Sequence, residues 1–269
     1  MTDLLAEAAS SVPARLGVVA EICDGELRLR LEPRAEVLRH GAVRASVIAF
    51  MIDVVAGIVL DDDPAAWMLT SDMSVRMRPL PAPASLSTRL TILRRGRRSA
   101  TAAVDLVTGE GELVATGAIG FARLQRRDTD AVKPQASPKG ITTMFDGSNA
   151  LTRPLREEAG IAVLDPKTGA LEMQVTPGLR NSAGTLQGAM VALLAEAAAE
   201  ETASTRFEIP AVVTELDLRY LAQTEAAPVR SSCRILGEGP DAPIEVELRD
   251  TSTDRLTTLA YARTAIIPT

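Results

Sequence analysis

Laid over itself at an offset of 143 residues, the chain matches along most of its length. LTSDMSVRMRPL at 69–80 falls on VVTELDLRYLAQ at 212–223, setting Asp72 on Glu215, Met73 on Leu216, Val75 on Leu218 and Arg76 on Arg219. RHGAVRASVIAFMID at 39–53 falls on SAGTLQGAMVALLAE at 182–196, pairing Gly41 with Gly184 and Asp53 with Glu196. Gly17 meets Gly160, and LVATGAIGFARL at 113–124 meets LTTLAYARTAII at 256–267. One register held across a helix, several strands and a terminal strand implies two copies of one structural unit. Between them, QRRDTDAVKPQASPKGITTMFDGSN at 125–149 is rich in charge, Pro, Gly and Ser, a linker composition. The expected organisation is a first repeat at 1–126, a linker at 127–150 and a second repeat at 151–269.

Within the first copy, apolar alternation and turn residues predict strands near 17–23 and 26–33, a helix near 42–60, and strands near 67–79, 84–95, 99–108 and 112–124. The turns DG at 24–25 and TGEG at 108–111 suit antiparallel hairpins. The helix VRASVIAFMIDVVAGIVL is apolar on nearly every side, so it should be covered all round. An α+β unit meets that need, with an antiparallel sheet wrapped around its own long helix.

Bulk properties exclude several functions. A net charge of -6 offers no basic footprint for nucleic acid or an anionic membrane. The longest apolar run, 47–60, is 14 residues with Asp53 inside it, short of a bilayer span. The amino terminus lacks the basic start and apolar block of a signal peptide. Cys23 and Cys233 form no redox-type or metal-type pair. The expectation is a cytoplasmic protein with no cofactor and no metal. Aromatic residues make up 3% of the chain, so the core must be aliphatic.

Asp53 and Glu196 are the candidates for chemistry. A carboxylate inside an apolar helix needs a partner or a cleft, and here two acids stand at matching points of two such helices. GTLQG at 184–188 leads into the second helix, whose first N–H groups form a donor-rich site for an oxyanion. Gly188 would let a substrate approach the backbone closely, and Asn181 can line the same place. His40, the single histidine, lies off this stretch, and no GxSxG elbow occurs, which disfavours a serine nucleophile. The basic run LRRGRR at 93–98 reads either as a solvated turn or as a contact for nucleotide phosphates.

The stretch NSAGTLQGAMVALLAE, together with TELDLRYL at 214–221 and SDMSVRMRPLP at 71–81, resembles the hotdog-fold acyl-CoA thioesterases of the 4-hydroxybenzoyl-CoA and phenylacetate-pathway type. Their motif is N or Q, a spacer, HGG and a helix with D or E nine residues after the His. Asn181 stands at the amide, Gln187 at the His, Gly188 at the first Gly and Glu196 at the acid. The resemblance implies two hotdog domains paired as an intramolecular pseudo-dimer, able to associate further into homo-oligomers, with a site at each junction. One site would combine Asn181, Gln187 and Gly188 with Asp53. The other would combine Leu38, Arg44 and Ala45 with Glu196, and having lost its polar lining it would be weak or dead. The implied reaction is hydrolysis of an acyl-CoA, with Asp53 as base or nucleophile, the Gly188 N–H as oxyanion donor, Asn181 positioning the acid or the water, and Arg95 and Arg97 on the CoA phosphates. Coenzyme A is then part of the substrate. Because Gln187 cannot ionise as the family's His can, a non-catalytic acyl-CoA-binding or scaffold protein is the alternative.

Overall fold

The computed structural model describes residues 10–78, 81–126, 133 and 138–267. The first nine residues, the end of the first-copy strand motif at Pro79 and Leu80, and positions 127–132 and 134–137 of the expected linker lie outside the described residues.

In chain order the elements are β1 (Val18–Cys23), β2 (Glu26–Leu31), β3 (Leu38–Arg39), β4 (Ala42–Val43), α1 (Ala45–Leu60), β5 (Ala66–Met77), β6 (Leu86–Arg95), β7 (Ser99–Thr108) and β8 (Leu113–Gln125). They continue with α2 (Pro138–Met144), α3 (Leu155–Glu158), β9 (Ala162–Asp165), β10 (Ala170–Met173), α4 (Gly188–Phe207), β11 (Ala211–Tyr220), β12 (Val229–Ile235), β13 (Ile244–Asp250) and β14 (Arg255–Ile266). The β1–β2 hairpin turns on Asp24 and Gly25, both at positive φ as a tight two-residue turn requires. The expected helix at 42–60 begins three residues later. Ala42–Val43 pair with Leu38–Arg39 instead, and Arg44 caps the helix in extended backbone.

Twelve strands form one antiparallel sheet in the order β1-β2-β6-β7-β8-β5-β11-β14-β13-β12-β10-β9. Its centre is the β5–β11 pair, in which Ser74 faces Asp217, the residue 143 positions further on. Arg76 faces Glu215 and Asp72 faces Arg219, so the register is symmetric about that point. Arg76 Nη2 donates to Asp217 Oδ2 at 2.8 Å across this seam.

Helix α1 packs on β2 and β5 to β8, α4 packs on β10 to β14, and the two helices touch each other. Their burial follows from their sequence. Val47, Ile48, Met51, Ile52 and Val55 of α1 have no exposed surface, nor have Met190, Leu193 and Leu194 of α4. At about 1.5–3 kcal/mol for each large side chain removed from water, these contacts dominate the stability of both helices. Part of the expected linker is structured. After α2, Phe145 meets Phe50 edge-to-face at 5.9 Å between ring centroids, and its carbonyl accepts the Ala20 N–H at 2.8 Å.

Candidate functional site

Asp53 sits midway along α1 with both carboxylate oxygens held. Thr70 Oγ1 donates to Oδ1 at 2.7 Å, and Gln187 Nε2 donates to Oδ2 at 3.0 Å. Thr70 comes from the first half of the chain and Gln187 from the second. A register slip in β5 between Thr70 and Asp72 is what frees Thr70 to turn toward α1, the usual effect of a bulge on a side chain. The same slip recurs in β11 between Val213 and Glu215, where the residue matching Thr70 is a valine.

Gln187 is the N-cap of α4. Its Oε1 accepts the Ala189 N–H at 2.6 Å, which leaves the NH₂ end of the amide for Asp53. Its backbone carbonyl takes the N–H groups of Met190 and Val191 at 2.9 and 3.1 Å. Of the first four donors of α4 that leaves the Gly188 N–H, which has no acceptor among the described residues. A Cβ at position 188 would stand 3.5 Å from both Asp53 Oδ2 and Tyr220 Oη, so glycine keeps the path to the carboxylate open. Tyr220 Oη donates to the Gly188 carbonyl at 3.0 Å. Burial and the charge of Asp53 push the Tyr220 phenol well above its ordinary value, so it stays protonated.

These groups open onto a cavity of ≈ 370 Å³. Asp53 and Gly57 of α1 and Asp61, which caps its end, line it at four-residue spacing. Its lining runs from Leu124 and Leu221, each about half exposed, to buried Val229 and Leu248. Lys133 closes one flank, its Nζ bonded to Asp61 Oδ1 at 2.5 Å and to the carbonyls of Asp63 and Ala66 at 2.7 Å. Burial lifts the Asp53 carboxyl from its ordinary 3.8 to about 6, against the opposing pull of the Thr70 hydrogen bond. A base with that value is ionised at neutral pH and able to take a proton.

The mirror place is filled. Glu196 has no exposed surface and caps α1, with Oε1 on the Ala45 N–H at 2.6 Å and Oε2 on Ser46 Oγ at 2.5 Å. Arg44, in the position matching Gln187, lies 3.2 Å from Glu200 Oε2 and 3.7 Å from Glu196 Oε2. Glu200 matches Gly57, so a buried side chain occupies the space that glycine leaves open on the other side. Burial and the neighbouring Glu196 both raise the Glu200 carboxyl.

Other expected residues fall as follows. Asn181 lines the cavity, but its Oδ1 is turned into its own loop, accepting the N–H groups of Ala183 and Thr185, and the contacts on Asp53 are made by Thr70 and Gln187 instead. Leu38 lies in β3 away from the cavity, and His40 occupies the positive-φ turn between β3 and β4. Arg95 is committed to Asp62 Oδ2 at 2.5 Å and to the Val59 carbonyl at 3.0 Å, while Arg97 is exposed on the same hairpin. Sequence reading missed Thr70 and Tyr220. The available signal was asymmetry between the copies, since their counterparts Val213 and Met77 are apolar.

A model of the acyl-CoA thioesterase C-terminal domain matches residues 10–118, a span that includes Asp53 and Thr70 and ends before Gln187. Among curated proteins none matches the sequence. A protein of unknown function with the hot dog fold from Alicyclobacillus acidocaldarius superposes with a TM-score of 0.59 at 14% identity, covering 96% of this chain and 98% of that one. The chain has the hotdog fold. The tesB protein of Mycobacterium avium subsp. paratuberculosis shares that hotdog architecture with a TM-score of 0.62 at 11% identity over 96% and 98% of the two chains. The 12:0-ACP thioesterase of Umbellularia californica does so with 0.61 at 12% over 89% and 94%. At such identities these likenesses establish the fold.

Among the described residues no helix is long and apolar enough to cross a membrane.

Proposed function

We propose that the chain is a thioester hydrolase acting on an acyl-CoA, built from two hotdog units, residues 1–126 and 151–269, that pair as an intramolecular pseudo-dimer with one working site. The observation that carries this reading is the junction of the halves, where a half-buried carboxylate of one unit is held at both oxygens beside the unspent N–H of the other unit's helix. The register symmetry of β5 and β11 and the span of the family match support it.

In the proposed reaction the thioester carbonyl oxygen lies on the Gly188 N–H at the positive end of α4. Asp53 removes a proton from water as the water oxygen bonds to the carbonyl carbon. Collapse of the tetrahedral intermediate breaks the C–S bond, and the proton held by Asp53 passes to the leaving sulfur. The products are a carboxylic acid and a free thiol. Thr70 and Gln187 fix the direction of the carboxylate, and neither has to ionise. With Gln187 acting as cap and clamp, the loss of the family's histidine removes no proton carrier from this scheme. The exposed Arg97, on the hairpin held against the end of α1, is the contact proposed for the CoA phosphates, with Arg95 behind it.

Thiol release from a panel of short, medium and aromatic acyl-CoAs tests the reading. Saturable turnover of at least one is expected, and tight binding without release would instead identify an acyl-CoA-binding protein. The pH profile gives a sharper test. Burial raises the Asp53 carboxyl, so its base form is lost as pH falls through about 6. kcat/KM should therefore rise about tenfold per pH unit below that value and level off above it. A plateau reaching down to pH 4.5 would remove Asp53 as the base.

A further inference from the structure

Two threonine hydroxyls on the cavity wall are not used by the protein. Thr224 and Thr258 line the cavity and are 5% and 2% exposed, yet neither hydroxyl has a hydrogen-bond partner among the described residues. Their neighbour Thr257 differs, since its Oγ1 donates to the Leu248 carbonyl at 3.0 Å. Neither hydroxyl is closed off from the cavity, so a ligand oxygen placed there can take the hydrogen bonds that water would otherwise make. At the matching places of the other half stand Pro81 and Ala115, with no hydroxyl.

Both residues are near the reacting centre. Thr258 pairs across the strands with Tyr220, whose hydroxyl reaches the Gly188 carbonyl. The Thr224 carbonyl accepts the Leu186 N–H at 2.8 Å, one residue before the cap of α4. Buried Val229 and Leu248 line the same cavity and add apolar surface to it. The enclosure therefore suits a short aliphatic body, and the two hydroxyls, each able to donate and accept, suit an oxygen carried on it. We propose that the acyl group is a short one bearing a hydroxyl or keto oxygen, recognised by Thr224 and Thr258. This rests on the thioesterase reading of the same cavity.

The test compares butyryl-CoA with 3-hydroxybutyryl-CoA for thiol release by the wild-type chain, Thr224→Val and Thr258→Val. The non-hydrolysable thioether analogues of both are titrated alongside. The wild-type chain is expected to favour the hydroxylated substrate by about tenfold or more in kcat/KM, the scale of one or two neutral hydrogen bonds. Each valine variant should bring the ratio toward one, whereas Thr257→Val, whose hydroxyl serves the backbone, should lower Tm and leave the ratio in place. Equal rates for the two substrates in the wild type, or a ratio unmoved by either variant, overturns the proposal. If neither ester releases thiol, hydrolysis fails as a reading. Threonine-dependent preference for the hydroxylated thioether then still sustains recognition, and equal binding overturns it.

Discussion

Asp53→Asn is expected to lower kcat/KM for thioester hydrolysis by about 10²- to 10⁴-fold, the usual contribution of a general base, and at the same time to raise Tm. The two effects have one cause. In the fold the carboxyl is lifted from its ordinary 3.8 to about 6 because burial penalises its charge. An acid raised in this way makes stability fall as pH climbs from about 4 to about 6, with no further change above. At neutral pH the ionised group costs about 3 kcal/mol, and asparagine removes that cost. The substitution fits the existing hydrogen bonds. The asparagine oxygen can face Gln187 Nε2, and its NH₂ can donate to the Thr70 hydroxyl, which is free to accept. Thermal unfolding at pH 7 should show a Tm higher by several degrees, beside a rate near background. Unchanged turnover in a folded Asp53→Asn chain would remove the carboxylate from the mechanism.

Glu196→Ala is expected to do the opposite, destabilising the chain by about 3–5 kcal/mol, the range for removing one member of a buried ion pair. The change strips the cap from the Ala45 N–H and from Ser46. It also leaves Arg44, which is 4% exposed, with Glu200 as its remaining close partner. Because Glu196 lies outside the cavity, the folded fraction should keep its turnover. Denaturant unfolding and thiol release on the same preparations separate the two quantities. A stable Glu196→Ala chain with lost activity would mean that the mirror place carries chemistry.

The two acids thus occupy matching points of two matching helices and do opposite things. What separates them was partly legible. The spacing of 143 places both helices, and the predicted strand limits fall within two or three residues of those observed, because alternation and turn chemistry are local. The candidate pair Asp53 and Gln187 followed from the repeat and the resemblance. Thr70 was hidden because its direction depends on a register slip between two strands, and no single-chain pattern reports a bulge. The role of Gln187 was hidden too, since capping its own helix and clamping a distant carboxylate is a geometric coincidence of two hydrogen bonds. Asn181 does line the cavity, and what the sequence did not report is the use made of its oxygen. That oxygen closes its own loop by accepting the Ala183 and Thr185 N–H groups. Where a sequence matches itself at a fixed offset, as here at 143, the differences between matched residues are the better guide. Thr70 against Val213, Gly57 against Glu200, Tyr220 against Met77 and Gln187 against Arg44 all fall at this one junction.

The central claim is a single working site shared by the two halves, and stoichiometry tests it most directly. Calorimetric titration of a hydrolysis-resistant acyl-CoA thioether should reach equivalence at one molecule per chain, and Gln187→Ala should weaken that binding. Two equivalents per chain, or one equivalent whose affinity is indifferent to Gln187 and to Asp53, would contradict it.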